Sequence, residues 1–327
     1  MSGRLVLALA VAVPLLLQQH PAFRSGVDVV RVDVSVTHGG APVQGLRAEN
    51  FQLTDNGVAQ KVESVSLESV PLSVMLVLDT SGSVAGEELA HLIEAGQQLV
   101  RALRPDDHAG LITFSERVLV NVPMTSDHAS VDRALAGLEG LGATSMNDAI
   151  HVAMSLRPTD VSRPVIIVFS DGNDNLSWES AASLVDEAKK VAVVIHAIEL
   201  RVGESPTGAV RTERTVVITP DMRAIPNAGR PISPALLSQD FVNGTPVLQA
   251  LTLQAGGRVW SAKSPRDLKP LFTQALEEMR ARYLLTYSPN DPPKEGYHTL
   301  KVTLKNARGD VTARPGYFVG APPSAVR

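Results

Sequence analysis

Two different hydrophobic patterns divide the chain. Near both ends, apolar and polar residues alternate one by one, as in residues 30–36, and this period of two is typical of strands with one buried face. The same alternation returns near the C-terminus in residues 283–287, 298–304 and 311–319. Residues 27–70 or 282–319 alone would bury too little apolar surface for a stable fold. We therefore predict that these two pieces pair into one small β-sandwich.

The middle of the chain, residues 72–281, follows another pattern. Nearly continuous apolar runs predict strands that are buried on both faces, at residues 73–78, 110–114, 164–169, 191–198 and 258–261. Amphipathic segments predict the helices between and after them, at residues 87–103, 126–138, 146–156, 177–190, 246–254 and 266–282. Ser126 and Ser177 are the expected caps of their helices. The alternation predicts an α/β fold, with a doubly wound, mostly parallel sheet and flanking helices. Residues 201–246 fit neither pattern and are interpreted as an insertion or long loop.

The N-terminus has the pattern of an export signal. Arg4 precedes an apolar run over residues 5–17, and polar residues follow it. The run is too short to span a bilayer as a helix, so we predict a secretory signal peptide over residues 1–22, with an uncleaved anchor as the alternative. No later apolar stretch reaches 18 residues, which predicts a mature chain without a membrane span. The expected location is the periplasm or the exterior.

Composition excludes several classes of function. The 327 residues include no cysteine, which excludes disulfides, thiolate metal sites, a cysteine nucleophile and lipid attachment at an N-terminal cysteine. The net charge of −4 provides no basic field for nucleic acid. Aromatic residues make up only 4% of the chain, which disfavours a stacking surface for bases.

Oxygen-bearing side chains lie in three loops beside predicted strands and helices of the middle region. Asp79, Ser81 and Ser83 come directly after a buried strand, Thr144 precedes a helix, and Asp171 follows another strand. Ligands of open α/β sheets bind beyond the carboxyl ends of the strands, where these loops are expected to meet. Two carboxylates and three hydroxyls suit a hard cation, Mg²⁺ or alternatively Ca²⁺ or Mn²⁺. A partner's carboxylate could then take an open coordination position on the ion.

These five residues carry a resemblance to a known family. The pattern D-x-S-x-S at residues 79–83, with a separate threonine and aspartate in the same order, resembles the von Willebrand factor type A family over about residues 72–281. The resemblance implies a metal-ion-dependent adhesion site in which hydroxyls contact the ion directly and aspartates often act through water. It also implies that ligand binding can be coupled to movement of the last helix, residues 266–282. The flanking segments resemble bacterial proteins related to this family, and residues 201–246 depart from its compact core.

Other interpretations of single motifs are weaker. Residues 79–82 resemble the active-site loop of aspartic proteases, but a second matching loop in a β-rich chain is missing. Residues 171–175 look like a calcium loop, yet the spacing of an EF-hand fails because position twelve is Ala182. We interpret that loop as solvated. Trp178 and Trp260 are interpreted as packing residues, although Trp178 could also lie at the rim of the metal site.

The combined prediction is an exported, non-enzymatic module for adhesion or assembly. It would bind a protein or peptide ligand through an acidic side chain in a cation-dependent way. One alternative is a structural module in which the ion only stabilises the fold or the site is vestigial. A more remote alternative is a metal-dependent hydrolase, for which no general base is evident. The identity of the ligand and the oligomeric state stay open.

Overall fold

The computed structural model describes residues 29–67, 70–158, 162–171, 174–201, 241–242, 245–290 and 294–320. The predicted signal peptide, residues 1–22, and most of the predicted insertion, residues 201–246, lie outside these described residues. Among the helices of the described part, none has both the length and the apolar character that crossing a membrane requires.

The described strands and helices are numbered in chain order. The strands are β1 (Val30–His38), β2 (Ala41–Pro42), β3 (Phe51–Asp55), β4 (Val58–Gln60), β5 (Ser64–Ser66), β6 (Leu72–Asp79), β7 (His108–Phe114), β8 (Val118–Thr125), β9 (Arg163–Ser170), β10 (Val194–Leu200), β11 (Phe241–Val242), β12 (Thr245–Pro246), β13 (Val259–Ala262), β14 (Tyr283–Tyr287), β15 (Gly296–Leu304), β16 (Asp310–Ala313) and β17 (Gly316–Val319). The α-helices are α1 (Glu87–Arg101), α2 (His128–Ala136), α3 (Met146–Ser155), α4 (Ala181–Ala188), α5 (Val247–Ala255) and α6 (Leu268–Arg280).

A six-stranded sheet in the order β13-β10-β9-β6-β7-β8 is the centre of the molecule. Its first five strands are parallel, and β8 pairs antiparallel with β7 at the edge. The predicted α/β fold with a mostly parallel sheet is therefore confirmed. The sequence did not predict β8, because its half-exposed residues lack the continuous apolar run of the inner strands.

Helices cover both faces of this sheet. Alternate side chains of a strand point to opposite faces, and all eight residues of β6 are buried. Leu76 belongs to a hydrophobic cluster with residues of α1, α2 and α6, whereas Val77 belongs to a second cluster with residues of α3, α4 and α5. This layering places the carboxyl ends of β6 and β9 at one open edge between the helices.

The helices α2 and α4 begin later in the chain than the sequence predicted. Asp127 caps α2 and Ser180 caps α4, each with a side chain that accepts a hydrogen bond from a backbone N–H of the first turn. The predicted caps Ser126 and Ser177 are therefore wrong. Ser177 instead donates its hydroxyl to Asp174 at 2.7 Å, so it belongs to the preceding loop.

Strands from both ends of the described chain form two further sheets. One has the order β16-β1-β14-β5, with β2 beside β1, and the other has the order β17-β15-β3-β4. Val34 and Leu285 of the first sheet share a hydrophobic cluster with Leu53 and Leu300 of the second. The single strand predicted over residues 311–319 is wrong, because the chain leaves one sheet and enters the other at Pro315, which has no N–H for a ladder. The domain bounds stay predictions.

A buried group of charged side chains connects these terminal sheets to the central sheet. Arg282, which is fully buried, follows α6, and its Nη1 lies 3.6 Å from Oε1 of Glu278. The other oxygen of Glu278 lies 2.9 Å from Nε of Arg258. Arg163 of β9 pairs with Asp33 of β1, with 3.0 Å between Nε and Oδ1. Arg163 also donates its Nη1 to the carbonyl of Met279 in α6 at 3.1 Å, so this buried side chain links α6 to β1.

Candidate metal centre

Asp79 lies at the carboxyl end of β6, and its side chain is fully buried. Its Oδ1 accepts a hydrogen bond from the backbone N–H of Ser81 at 2.9 Å, and its Oδ2 accepts one from the hydroxyl of Ser170 at 2.9 Å. The hydroxyl oxygens of Ser81 and Ser83 lie 3.0 Å apart. The structure therefore brings Asp79, Ser81 and Ser83 together, as their alternation along the loop predicts.

Backbone hydrogen bonds join the loop after β6 to the loop before α3. Gly82 donates its N–H to the carbonyl of Gly142 at 2.9 Å, and Leu141 donates to the carbonyl of Thr80 at 2.8 Å. Gly142 has a φ of +90°, and a Cβ on it would lie 2.6 Å from Cγ of Glu116. Glycine is favoured at this position because a residue with a side chain would be strained at this positive φ.

Thr144 connects the same loop to the third one. Its N–H donates to Oδ1 of Asn175 at 2.9 Å, and its carbonyl accepts from the N–H groups of Asn175 and Leu176, both at 3.1 Å. The Thr144 side chain is buried. Thr144 therefore lies on a loop that bonds to both of the others, one of which follows β9 and contains Asp171.

Burial makes the negative charge of Asp79 unfavourable. The pKa of Asp79 is raised to about 6, chiefly because burial removes the carboxylate from water; the hydrogen bonds from Ser81 and Ser170 lower it, and the charge of Asp171 raises it. Asp171 therefore acts electrostatically on the carboxylate of Asp79. A cation between them would remove this penalty, so the electrostatics of the residues fit a bound dication.

The donor set also fits the chemistry of a hard cation. We define the candidate metal centre as the two carboxylates and three hydroxyls that the sequence predicted, at Asp79, Ser81, Ser83, Thr144 and Asp171. Within the described ranges there is no cluster of three or more acidic or histidine side chains placed to hold a metal. Hydroxyls and carboxylates together are ligands that Mg²⁺ and Ca²⁺ accept. That these five side chains bind an ion stays a prediction.

Two polar residues of this site were missed by the sequence analysis. Ser170 ends β9 and holds Asp79, and its only sequence signal is a polar residue at the end of an apolar strand. Asp174 was assigned to a solvated loop, which is wrong because its side chain is buried. It accepts from the N–H of Asn147 at 2.7 Å and from the N–H of Ser177 at 3.1 Å, so it ties the third loop to α3.

The central region of the chain is similar in sequence to known proteins. Residues 74–173 match the model of the von Willebrand factor type A domain. The chain is 25% identical over 187 residues to human inter-alpha-trypsin inhibitor heavy chain H4, which covers 53% of this chain and 19% of that protein. It is 27% identical over 194 residues to the UPF0353 protein of Mycolicibacterium paratuberculosis, with 54% of this chain and 57% of that protein covered. The chain thus spans about a fifth of the length of the heavy chain.

Similarity to solved structures is weak, with TM-scores below 0.5. A von Willebrand factor type A protein from Catenulispora acidiphila has a TM-score of 0.44 at 14% identity, with 86% of this chain and 74% of that chain covered. Proximal thread matrix protein 1 of the mussel byssus, in a form with a zinc-occupied metal-ion-dependent adhesion site, has a TM-score of 0.44 at 15% identity. Its match covers 68% of this chain and 49% of that chain.

Proposed function

Because this chain contains a von Willebrand factor type A domain, we propose that it is an exported module for adhesion or assembly that depends on a divalent cation, Mg²⁺ in the first instance. The candidate metal centre holds the ion, and the partner is a protein or peptide that contributes an acidic side chain. The domain match supports a protein-binding role, while the dependence on metal and the acidic ligand are our proposal.

One observation carries the proposal, namely the fully buried carboxylate of Asp79 with its raised pKa. An ionised carboxylate that is buried costs stability, and such a cost is typical of functional sites. A bound dication would offset the two negative charges and offer a coordination position to a partner's carboxylate. Without the ion, the same charges would repel an acidic partner.

The protein's own groups fix the geometry of the centre. The N–H of Ser81 and the hydroxyl of Ser170 each hold one oxygen of Asp79, so that carboxylate cannot rotate freely. The paired hydroxyls of Ser81 and Ser83 present their oxygens on the same loop. The backbone bonds between the loops limit the rearrangement that ion binding would need, which favours affinity through preorganisation.

Titration calorimetry with Mg²⁺, Mn²⁺ and Ca²⁺ tests the centre directly. Ser83→Ala removes a proposed ligand and should weaken ion affinity at least tenfold. Because Ser83 is exposed, the melting temperature in EDTA should stay unchanged. Ser183→Ala is the matched control, because Ser183 is an exposed serine on α4, outside the three loops. Equal ion affinity in wild type and Ser83→Ala would contradict the assignment of Ser83.

Capture experiments separate binding from a purely structural role of the ion. Immobilised protein should retain a partner from the envelope or secreted fraction of the source organism in Mg²⁺ and release it in EDTA, while circular dichroism shows that the fold persists. The same raised pKa of Asp79 also favours the alternative in which the ion only stabilises the fold. Ion binding without any Mg²⁺-dependent capture would establish that alternative.

Two further parts of the proposal have their own measurements. Turnover of esters, phosphates or peptides that disappears in the Ser83→Ala variant would support a metal-dependent hydrolase instead of a binding module. Export is tested by fractionation and N-terminal sequencing of the mature protein, which should begin after the predicted signal peptide. Recovery of the full chain in the cytoplasmic fraction would contradict export.

A further inference from the structure

Trp178 is placed in an unusual environment. The chain has two tryptophans, and Trp260 is buried at 7% exposure, whereas Trp178 is 97% exposed. The interpretation of Trp178 as a packing residue is therefore wrong. Two more large apolar side chains of the same region face solvent, Leu141 at 80% and Leu176 at 42% exposure. Exposed apolar groups in one region mark interaction sites more often than single scattered ones.

The backbone that carries Trp178 is held in place by two carboxylates. The N–H of Trp178 donates to both oxygens of Asp148 at 3.1 Å, and the N–H of Glu179 donates to Oδ1 of Asp148 at 2.8 Å. One residue earlier, Ser177 donates both its N–H and its hydroxyl to Asp174. The indole is thus presented by a fixed loop, and a rigid aromatic side chain loses little conformational entropy when a partner covers it.

The three apolar side chains belong to the loops of the candidate metal centre. Leu141 donates its N–H to Thr80 of the first loop, and Leu176 donates its N–H to the carbonyl of Thr144. Trp178 follows Leu176 by two residues. We call Leu141, Leu176 and Trp178 the apolar rim. The apolar rim therefore lies on the same two loops as Thr144 and Asp171 of the candidate metal centre.

The geometry points to a bipartite docking surface, and we propose that the apolar rim selects the partner. This inference rests on the proposed function: the partner is a peptide segment whose acidic residue reaches the ion and whose adjacent large apolar residue covers Trp178. Charge complementarity argues for this occupant. The carboxylate of Asp148 accepts from the backbone N–H of Trp178, and Glu179 is the next residue in the chain. These two negative charges disfavour an anionic lipid surface, whereas a single acidic side chain can approach where the ion offsets its charge.

A defined peptide library tests the inference. Each peptide carries one Asp, and the four positions on either side vary over all residues, so the probe is known. Capture on the wild-type protein is compared in Mg²⁺ and in EDTA. We expect the peptides retained in Mg²⁺ to be enriched in Trp, Phe, Leu or Met near the Asp. Trp178 fluorescence, observed alone in a Trp260→Phe background, should shift to shorter wavelength when such a peptide binds.

Substitutions in the rim provide the controls. Trp178→Ala should weaken the selected peptides about 10- to 100-fold, because buried aromatic anchors dominate interfaces, while Trp178→Phe should retain most of the affinity. Mg²⁺ affinity should stay the same in both variants. Leu253→Ala is the matched control, since Leu253 is 63% exposed on α5, outside the loops of the site. If Trp260→Phe does not fold, peptide capture is compared between the wild type and the Trp178 variants, all of which keep Trp260.

The outcomes distinguish the two proposals. Mg²⁺-dependent capture without enrichment of apolar neighbours, or with unchanged affinity in Trp178→Ala, would overturn the role of the rim and leave the proposed function standing. No Mg²⁺-dependent capture of any peptide would overturn both. Binding of the protein to phosphatidylglycerol vesicles that is lost in Trp178→Ala, with no peptide selection, would identify a membrane as the occupant and overturn the inference.

Discussion

Replacing Asp79 with asparagine should stabilise the metal-free protein at neutral pH, although it removes a proposed ligand. Asparagine has nearly the same shape as aspartate and carries no charge to desolvate. Its oxygen can still accept from the N–H of Ser81, and its amide can donate to the hydroxyl of Ser170, which is able to accept. The substitution therefore isolates the free energy of burying the charge of Asp79.

The magnitude follows from the raised pKa. Asp79 is fully buried, and its pKa rises from 3.8 to about 6, chiefly through burial. Each pKa unit corresponds to about 1.4 kcal/mol, so the shift of about two units costs about 3 kcal/mol when the carboxylate is ionised in the fold. This is an upper value, because the surroundings of the charge can relax.

The direction of the pKa shift determines the pH range in which this cost appears. Between about pH 4 and pH 6 the folded state keeps the proton on Asp79 while the unfolded state loses it. The unfolding free energy therefore falls as pH rises through this window and stays low above it. Asp79→Asn lacks this dependence. Its advantage over wild type should be absent near pH 4 and complete above pH 6.

Thermal unfolding in EDTA at several pH values measures the effect. With about 2 °C per kcal/mol for a domain of this size, Asp79→Asn should melt about 6 °C higher than wild type at pH 7.5. Saturating Mg²⁺ should reduce or reverse this difference, because an ion at 100 times its Kd stabilises only the wild type, by about 2.7 kcal/mol. Asp310→Asn, at an exposed aspartate of β16, is the control and should change neither quantity.

Two results would refute this reasoning. One is an Asp79→Asn variant that is no more stable than wild type in EDTA at pH 7.5. The other is a stability difference that does not change between pH 4 and pH 7.5. Either result would mean that ionised Asp79 is not penalised by the fold, and the electrostatic argument for a cation at this position would lose its basis.

Further predictions concern residues away from the metal centre. Glu278→Ala should lower the unfolding free energy by about 3–5 kcal/mol in urea titrations, because it removes the buried carboxylate that pairs with both Arg258 and Arg282; a loss below 1 kcal/mol would show that these ion pairs contribute little. Asp55→Asn should cost about 2–3 kcal/mol in the same assay, since the charged acceptor for the hydroxyls of Tyr287 and Tyr317 is lost, and a neutral effect would contradict this. Gly257→Ala should abolish soluble expression, because its Cβ would lie 2.0 Å from a backbone oxygen of β10; a stable variant would show that the loop can move.

Much of the central fold could be predicted from the sequence alone. The apolar runs at β6, β7, β9 and β10 indicate strands buried on both faces, and the helices between them leave few alternatives to a parallel sheet. The edge strand β8 escaped this reasoning because one of its sides faces solvent. The positions of caps such as Asp127 also escaped it, since a neighbouring serine has an equal local propensity.

The candidate metal centre could be predicted as a set of residues but not as an arrangement. The spacing of Asp79, Ser81 and Ser83 places three oxygens on one loop, and the order of strands predicts which other loops meet it. The hydroxyl of Ser170 on Asp79 and the burial of Asp174 depend on contacts between residues distant along the chain, for which the sequence carries no local signal.

The sequence by itself determined the alternation of strands and helices and the chemical types of the site residues, because periodicity and residue type are local properties. Only the tertiary structure decided which side chains are buried and which are exposed. It placed Arg282 in the interior and Trp178 in water, contrary to what either residue type usually prefers. The physical reason is that burial depends on which distant segments come together, and in Arg282 and Trp178 that packing overrides the transfer preference of the side chain.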